Sequence, residues 1–580
     1  MKKLLFVLVF AILACQNNTT SKPEKLITQF ETSNGLETAT YHEVIAFYKT
    51  LSELYPSVQV DSFGKTDSGY PLHLVIINPD NNFDFTKITN NKRIILFNNG
   101  IHPGESDGID ATMMLFRDLA DGTISMPENV VLATIPVYNI GGSLNRNSTT
   151  RTNQNGPLEY GFRGNARNYD LNRDFIKCDT DNAKTFSEIF HTVKPDIFID
   201  NHVSNGADYQ YVLTHLFTQH NKLGGVLGTY LNEELIPKLE QSLEAKSWPI
   251  TPYVNVFNST PEEGFSQFFD SPRYSTGYTT LFNTLGMMVE THMLKPYKQR
   301  VEGTYELMKS IMEIVDADAE AIKTLRNKQY AMYKPGDFYP LNWELDTTKS
   351  STLNFKGFEA DTLTSFVTGK PRLKYDSNKP FDKEVTYQNF FKPKDSVVIS
   401  QAYIIPQGWH NVLELLKINQ VEYYQFEKDT SITVESYKIN DYKTRNNPFE
   451  GHYLHYNTTI EKNTKSVNFR KGDYFITTEQ TAMRYLLETL EPQAVDSFFN
   501  WNFFDTILQQ KEGFSPYVWE DKILELFAQN PRLQIAFNMK KSLEPEFANN
   551  WYAQLDWIHK QSKFYETAHL QYTVYRLLKQ

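Results

Sequence analysis

The feature that most constrains the fold is an alternation of short apolar segments and helix-like segments between about Tyr41 and Tyr330. Residues 72–77 and 93–97 are short, rich in branched side chains and bounded by polar turns, which is typical of buried strands. Residues 110–119 follow with apolar side chains at helical spacing. Strands that alternate with helices predict an α/β unit, with a mainly parallel or mixed sheet flanked by helices.

The same alternation continues to about residue 330 and then changes. Further strands are predicted at residues 130–136, 195–200 and 286–289, and helices at 186–193 and 301–326. Beyond Pro335 the chain shows short strands separated by polar turns, with helical patterns returning near residues 481–490 and 545–563. We therefore predict an α/β domain over residues 40–330 and a β-rich C-terminal accessory domain with added helices over residues 331–580.

The N-terminus has the pattern of an export signal. Lys2 and Lys3 precede an apolar run that ends at Ala14 and is too short to cross a bilayer. The run ends in Ile-Leu-Ala-Cys, which resembles a bacterial lipobox, although a plain signal peptide with an incidental Cys15 is the alternative. We predict a lipoprotein signal peptide at residues 1–14, lipidation at Cys15, a tether at residues 15–39, and a membrane-anchored location in the cell envelope.

Net charge and cysteine content argue against a nucleic-acid-binding protein and against an internal disulfide bond. The 580 residues include 58 Lys and Arg against 69 Asp and Glu, a net charge of −11, so a nucleic-acid partner is not expected. Cys15 and Cys178 are the two cysteines, and lipidation of the first would leave Cys178 unpaired and structural.

Four residues with metal or acid–base chemistry follow predicted strands. His102 and Glu105 stand three residues apart after one strand, His202 follows a second, and Glu290 ends a third. Ligands in open α/β sheets bind beyond the carboxyl ends of the strands, so these side chains are expected on one rim. Imidazole and carboxylate groups are typical zinc donors, and catalytic zinc keeps three protein ligands and a water. The H-x-x-E spacing alone is a weak signal, and the shared rim strengthens it.

The segment at residues 165–175 adds polar groups suited to an anion. Arg173 offers a planar fork that can hold a carboxylate in bidentate fashion, and Asn172 beside it can both donate and accept. An Arg-rich loop held by Asp170 and Asp174 in surface ion pairs is the alternative, and it would be favoured without the neighbouring motifs.

Taken in order, the motifs resemble those of the zinc carboxypeptidase family related to pancreatic carboxypeptidase A. They are H-P-G-E-S-D-G at residues 102–108, D-L-N-R-D-F at 170–175, a strand leading to His202, and V-E-T-H at 289–292. The resemblance covers about residues 40–325. It implies one Zn²⁺ per chain, bound by His102, Glu105 and His202, with Glu290 as general base.

The resemblance also implies residues that contact the substrate. Asn172 and Arg173 would hold a terminal carboxylate. An oxyanion-stabilising arginine is expected, for which Arg151 is the candidate, with Arg146, Arg163 and Arg167 nearby. A substrate-side tyrosine is expected before Glu290, and Tyr278 is the candidate, with Tyr274 as the alternative.

These residues predict a zinc-dependent hydrolase that acts on a peptide with a free C-terminal carboxylate, a metallocarboxypeptidase. A deacylase or amidase acting on N-acyl amino acids or cell-wall peptides would use the same groups. An inactive surface lipoprotein that only binds its ligand is a third interpretation, although every expected residue is present.

Overall fold

The computed structural model describes residues 25–579, and its N-terminal half is built on one eight-stranded sheet. The strands of this half are β1 (Val58–Phe63), β2 (Leu72–Ile77), β3 (Arg93–Asn98), β4 (Val130–Ile135), β5 (Ile197–Ser204), β6 (Leu213–Phe217), β7 (Ile250–Pro252), β8 (Phe265–Ser266) and β9 (Leu285–His292).

The order across the sheet is β1-β2-β4-β3-β5-β9-β6-β7. The four central strands β4, β3, β5 and β9 run parallel to one another, and antiparallel pairs flank them on both sides. Strands β2 to β5 are buried along their whole length, as expected when helices cover both faces. The predicted α/β fold class is confirmed, and the sheet is mixed.

Twelve α-helices occur in this half of the described chain. They are α1 (Gln29–Thr32), α2 (Tyr41–Leu54), α3 (Phe85–Asn91), α4 (Asp107–Ala120), α5 (Ile140–Leu144), α6 (Asp181–Val193), α7 (His220–Leu223), α8 (Gly225–Tyr230), α9 (Ile236–Ala245), α10 (Ser275–Thr280), α11 (Tyr297–Ala317) and α12 (Ala319–Tyr330).

The single helix predicted over residues 301–326 is two helices that meet at Asp318. The Asp318 carboxylate accepts hydrogen bonds from the Tyr230 hydroxyl and the Lys238 ammonium at 2.7 and 2.8 Å. These contacts accompany a departure from helical backbone angles at Asp318. The prediction of one long helix was wrong because a side-chain anchor interrupts an otherwise continuous helical pattern.

The C-terminal half is rich in strands, as predicted, and also carries helices. Its elements are β10 (Phe338–Leu345), β11 (Ser351–Thr364), β12 (Pro371–Gln388), β13 (Phe391–Val398), β14 (Ala402–Ile405), α13 (His410–Ile418), β15 (Tyr424–Gln425), β16 (Thr430–Thr444), β17 (His455–Phe469), β18 (Tyr474–Thr477), α14 (Met483–Leu490), α15 (Pro516–Gln529), α16 (Pro531–Leu543), α17 (Pro545–Asn549), α18 (Trp551–Lys560) and β19 (Tyr575–Leu577).

Two long antiparallel hairpins stand out in the C-terminal half. Hairpin β11–β12 extends from the N-terminal half, where Tyr387 of β12 pairs with Phe265 of β8. Hairpin β16–β17 belongs to a six-stranded sheet with the order β15-β18-β14-β19-β16-β17.

One continuous hydrophobic core runs through both halves, from Phe30 to Val574. Helices α15 to α18 have a smaller core of their own around Trp519. In residues 25–579 we find no helix that is long and apolar enough to span a membrane.

Candidate metal and substrate site

The site lies at the carboxyl ends of the central strands. His102 and Glu105 stand in a tight turn after β3, closed by a 2.8 Å hydrogen bond from the Glu105 backbone N–H to the His102 carbonyl. His202 lies near the end of β5 and is paired with Glu290 on the neighbouring parallel strand β9. Side chains of paired residues point to the same face of a sheet, so strand register brings these two groups together.

The three predicted metal ligands form one buried cluster. Their donor atoms lie within 4.8 Å of one another. The two Glu105 carboxylate oxygens are 3.2 and 3.1 Å from the Nδ1 atoms of His102 and His202. The two Nδ1 atoms therefore face the same point, beside the carboxylate.

A carboxylate lies behind each imidazole ring. Asp170 Oδ1 is 2.9 Å from His102 Nε2, and Asp200 Oδ2 is 2.9 Å from His202 Nε2. Such carboxylate–histidine pairs fix the ring orientation and leave the opposite nitrogen free to bind a metal. These two roles were not among the predicted ones, although Asp200 stands two residues before His202 and therefore on the same strand face.

The charge pattern of the cluster suits a cation. Burial by itself would lower the pKa of His202, but Asp200 and Glu105 raise it well above its usual value. Burial would raise the pKa of Glu105, but Arg151 and His102 hold it well below its usual value. These shifts favour a protonated imidazole and an ionised carboxylate. A metal ion bound there would take the place of the imidazole proton. Two His and one Glu are a donor set that zinc prefers, so these residues fit the ion.

Glu290 lines the same cavity without belonging to the trio. Burial raises its pKa to about 7; His202 opposes the rise, and Glu105 and Asp200 add to it. Because positive charge stabilises a carboxylate, a bound cation would lower this value. A buried carboxylate beside a metal site is suited to accept and return a proton.

Asn172 and Arg173 lie on a 3-10 turn at the wall of the cavity, Leu171–Arg173. The Arg173 guanidinium lies 4.5 Å from the centre of the Tyr274 ring. Asn172 Oδ1 accepts a 3.4 Å hydrogen bond from the Ser275 backbone N–H. Stacking and hydrogen bonding therefore hold the pair facing the cavity, where it could bind a carboxylate.

Two arginines compete for the predicted oxyanion role. The guanidinium groups of Arg151 and Arg163 both line the cavity and approach Glu105 Oε1, at 2.9 and 3.6 Å. Arg163 also forms an ion pair with Asp170 at 2.8 Å. The structure brings both close to the cluster.

Tyr278 does not lie in the cavity, contrary to the prediction. It is fully buried on α10, where its hydroxyl donates a 2.6 Å hydrogen bond to Asn419 Oδ1 of the C-terminal half. The helical turn of α10 directs it into the core. Tyr274 and Tyr253 line the cavity instead. Burial, with Glu290 adding to it, raises the pKa of Tyr253, which stays a neutral phenol able to donate a hydrogen bond.

The cavity of about 430 Å³ has a polar rim and an apolar patch. Leu216 on β6 is paired with Met288 on β9. This pair lies two residues further from the carboxyl end of β9 than the pair Thr214 and Glu290. Phe268 lines the cavity with them. In the part of the chain that the structure describes, the acidic lining residues are Glu105 and Glu290.

The C-terminal half holds the loop that carries Tyr274. Asp496, which is fully buried, accepts hydrogen bonds from the Arg273 backbone N–H at 3.0 Å and from Arg273 Nε at 2.8 Å. The Arg273 guanidinium lies 5.1 Å from the Trp501 ring centre. Part of the site wall is therefore fixed by residues about 220 positions away.

Two other predictions concern cysteines. Cys178 is buried and unpaired, in keeping with a structural role. The signal peptide at residues 1–14, the lipidation site Cys15 and residues 15–24 of the predicted tether lie outside the described residues. Residues 25–39 are described, and they do not form a free tether, because they include α1 and bury Phe30 and Ala39 in the core.

Comparisons with known proteins find similarity to carboxypeptidases. Residues 44–200 match the sequence model of the zinc carboxypeptidase family, a range that includes His102, Glu105, Asn172 and Arg173. The chain is similar to carboxypeptidase 2 of Trichophyton rubrum, with 21% identity over 419 residues, covering 69% of this chain and 72% of the relative. A similar match to carboxypeptidase 2 of Trichophyton equinum has 22% identity over 437 residues, covering 71% of this chain and 74% of the relative.

Two solved structures with some similarity are named as carboxypeptidases. A metallo-carboxypeptidase from Burkholderia cenocepacia has 16% identity and a TM-score of 0.36, covering 48% of this chain and 70% of its own. Carboxypeptidase A from Helicoverpa armigera has 17% identity and a TM-score of 0.37, covering 49% and 74%. Over residues 44–200 the chain is therefore similar in sequence to the zinc carboxypeptidase family.

Proposed function

We propose that this protein hydrolyses the last peptide bond of a substrate with a free C-terminal carboxylate. The observation that carries the proposal is the placement of Asn172 and Arg173 in the same cavity as the His102–Glu105–His202 cluster and Glu290. A carboxylate held by that pair would bring the adjacent amide bond toward the cluster, and such positioning lowers the barrier to reaction.

His102, Glu105 and His202 would hold one zinc ion. When bound, zinc supplies a Lewis acid that lowers the pKa of a water from 15.7 to about 7. Glu290 accepts a proton from the attacking water as the water oxygen bonds to the carbonyl carbon. It then delivers that proton to the leaving nitrogen as the C–N bond breaks, giving a carboxylic acid and an amine.

Other cavity residues would stabilise the developing charge and select the side chain. Arg151 or Arg163 can donate to the carbonyl oxygen as it becomes negative. The patch of Leu216, Met288 and Phe268 favours an apolar terminal side chain, since burying a charged one without a partner is costly.

A panel of substrates tests the proposal. The reference substrate is a peptide with a C-terminal Phe and a free carboxylate. Three compounds are compared with it: the same peptide with an amidated C-terminus, the same peptide with Lys in place of Phe, and N-acetyl-Phe. Preferential release of Phe from the free-acid peptide is expected, and metal analysis should find about one zinc per chain. Preferential cleavage of N-acetyl-Phe would indicate the deacylase alternative, and cleavage of none would favour a binding role.

The envelope location is a separate proposal that rests on the sequence around Cys15. Mass spectrometry of the mature N-terminus should find a diacylglyceryl-modified Cys15. Cleavage elsewhere, or an unmodified cysteine, would contradict lipid anchoring without affecting the proposed activity.

A further inference from the structure

The tip of hairpin β16–β17 rests against the loop that carries Asp170. Glu450, in the turn between these strands, accepts a 2.9 Å hydrogen bond from the Asp170 backbone N–H at Oε2. The Asp170 side chain in turn lies 2.9 Å from His102 Nε2. Asp170 therefore links Glu450 to the imidazole ring of His102.

The rest of the tip fits the same loop closely. Gly451 has a φ of +80°, and a Cβ atom there would lie 2.6 Å from the Tyr169 hydroxyl, so a larger side chain would clash. His452 Nε2 lies 2.7 Å from Asp179 Oδ2. The two residues that follow Glu450 thus pack against this loop and help to fix the position of its carboxylate.

Glu450 is held at an energetic cost. Its φ of +50° lies in the left-handed region, which non-glycine residues rarely adopt. Burial raises the pKa of its carboxyl, and the nearby Asp170 carboxylate adds to the rise. Strained backbone that the surrounding structure maintains is often found at functional sites.

We propose that Glu450 is a positioning residue for the metal site. By holding the Asp170 backbone, it fixes the Asp170 carboxylate, which orients His102 through Nε2 and also accepts from the Asn172 backbone N–H at 2.9 Å. The C-terminal half thereby completes the site of the N-terminal half. This inference rests on the proposed zinc-dependent function.

Zinc affinity, measured by chelator competition without substrate, tests the role. Glu450→Gly removes the acceptor and relieves the left-handed backbone, so zinc should bind about ten-fold more weakly while the unfolding temperature of the zinc-free protein stays equal or rises. Glu450→Gln keeps an acceptor oxygen and should stay within about two-fold of the wild type. The control, Glu461→Ala, changes an exposed residue on the same hairpin and should leave zinc affinity unchanged.

Wild-type zinc affinity in Glu450→Gly would overturn the positioning role. The role would also be overturned if Glu450→Gly bound zinc more weakly and its zinc-free form unfolded at a lower temperature than the wild type. That pair of results would mean that Glu450 only stabilises the fold. If zinc affinity depends on Glu450 as expected but the wild type cleaves no substrate, the proposed activity fails and the positioning role stands. A wild type that binds no zinc overturns both.

Discussion

His202 and Glu290 stand on neighbouring strands of the central sheet, whereas Asn172 and Arg173 stand on a short turn. We call these the strand side and the loop side of the site. Hydrogen bonds along β5 and β9 fix the strand side. The loop side depends on the C-terminal half, through Glu450 at the Asp170 backbone and through Asp496, which holds Arg273 beside Tyr274. The difference indicates that the two halves of the chain build one site.

The largest effect is expected on the strand side, from Glu290→Gln. The amide cannot accept the proton, so kcat should fall by at least about 10²–10⁴-fold while zinc content stays at the wild-type level. Steady-state kinetics and metal analysis measure both. Glu302→Gln on α11 is the control and should be unaffected; undiminished hydrolysis by Glu290→Gln would refute the base assignment.

The loop side should lose stability when its anchor is removed. Asp496→Ala leaves the mostly buried Arg273 guanidinium without its carboxylate, which should lower the free energy of unfolding by about 3–5 kcal/mol. Urea unfolding measures the change. Asp429→Ala, which breaks an exposed ion pair with Arg470, should have no measurable effect. Equal results for both variants would contradict the anchoring role.

Substrate binding on the loop side should depend on Arg173. Arg173→Met removes hydrogen bonds to a charged group, worth about 1.5–3 kcal/mol, so KM for a free-acid peptide should rise roughly 10–150-fold. Substrates with an amidated C-terminus should show no such change. Arg167→Met, at a half-exposed position of the same loop, is the matched control. A rise in KM for both substrates alike would argue against carboxylate recognition.

The smallest effect is expected at the other long hairpin. The tip of β11–β12 exposes Phe366 and Val367 almost completely, in contrast to the docked tip of β16–β17. In the double variant with Ser at both positions, each substitution should change the free energy of unfolding by less than about 0.5 kcal/mol. The value of kcat/KM should stay unchanged. A clear loss of kcat/KM would show that this hairpin also serves the site.

The sequence by itself determined the α/β class and the cluster of His102, Glu105 and His202 beside Glu290. The predicted ends of two strands were too early, since β5 and β9 continue to Ser204 and His292. The class and the cluster follow from local patterns, because apolar periodicity marks buried strands and parallel strands end at a common rim. It could not place Tyr278, which the register of α10 directs into the core. It also could not resolve the break at Asp318, which side chains from distant residues hold.

Only the tertiary structure decided what surrounds the cluster. Asp170 faces His102, and Glu450 reaches Asp170 across 280 residues of chain. A one-dimensional pattern carries no signal for such contacts, because they join a hairpin turn to a loop that is distant in sequence. The sequence thus identified which groups can do the chemistry, and the packing of the C-terminal half decided how they are held.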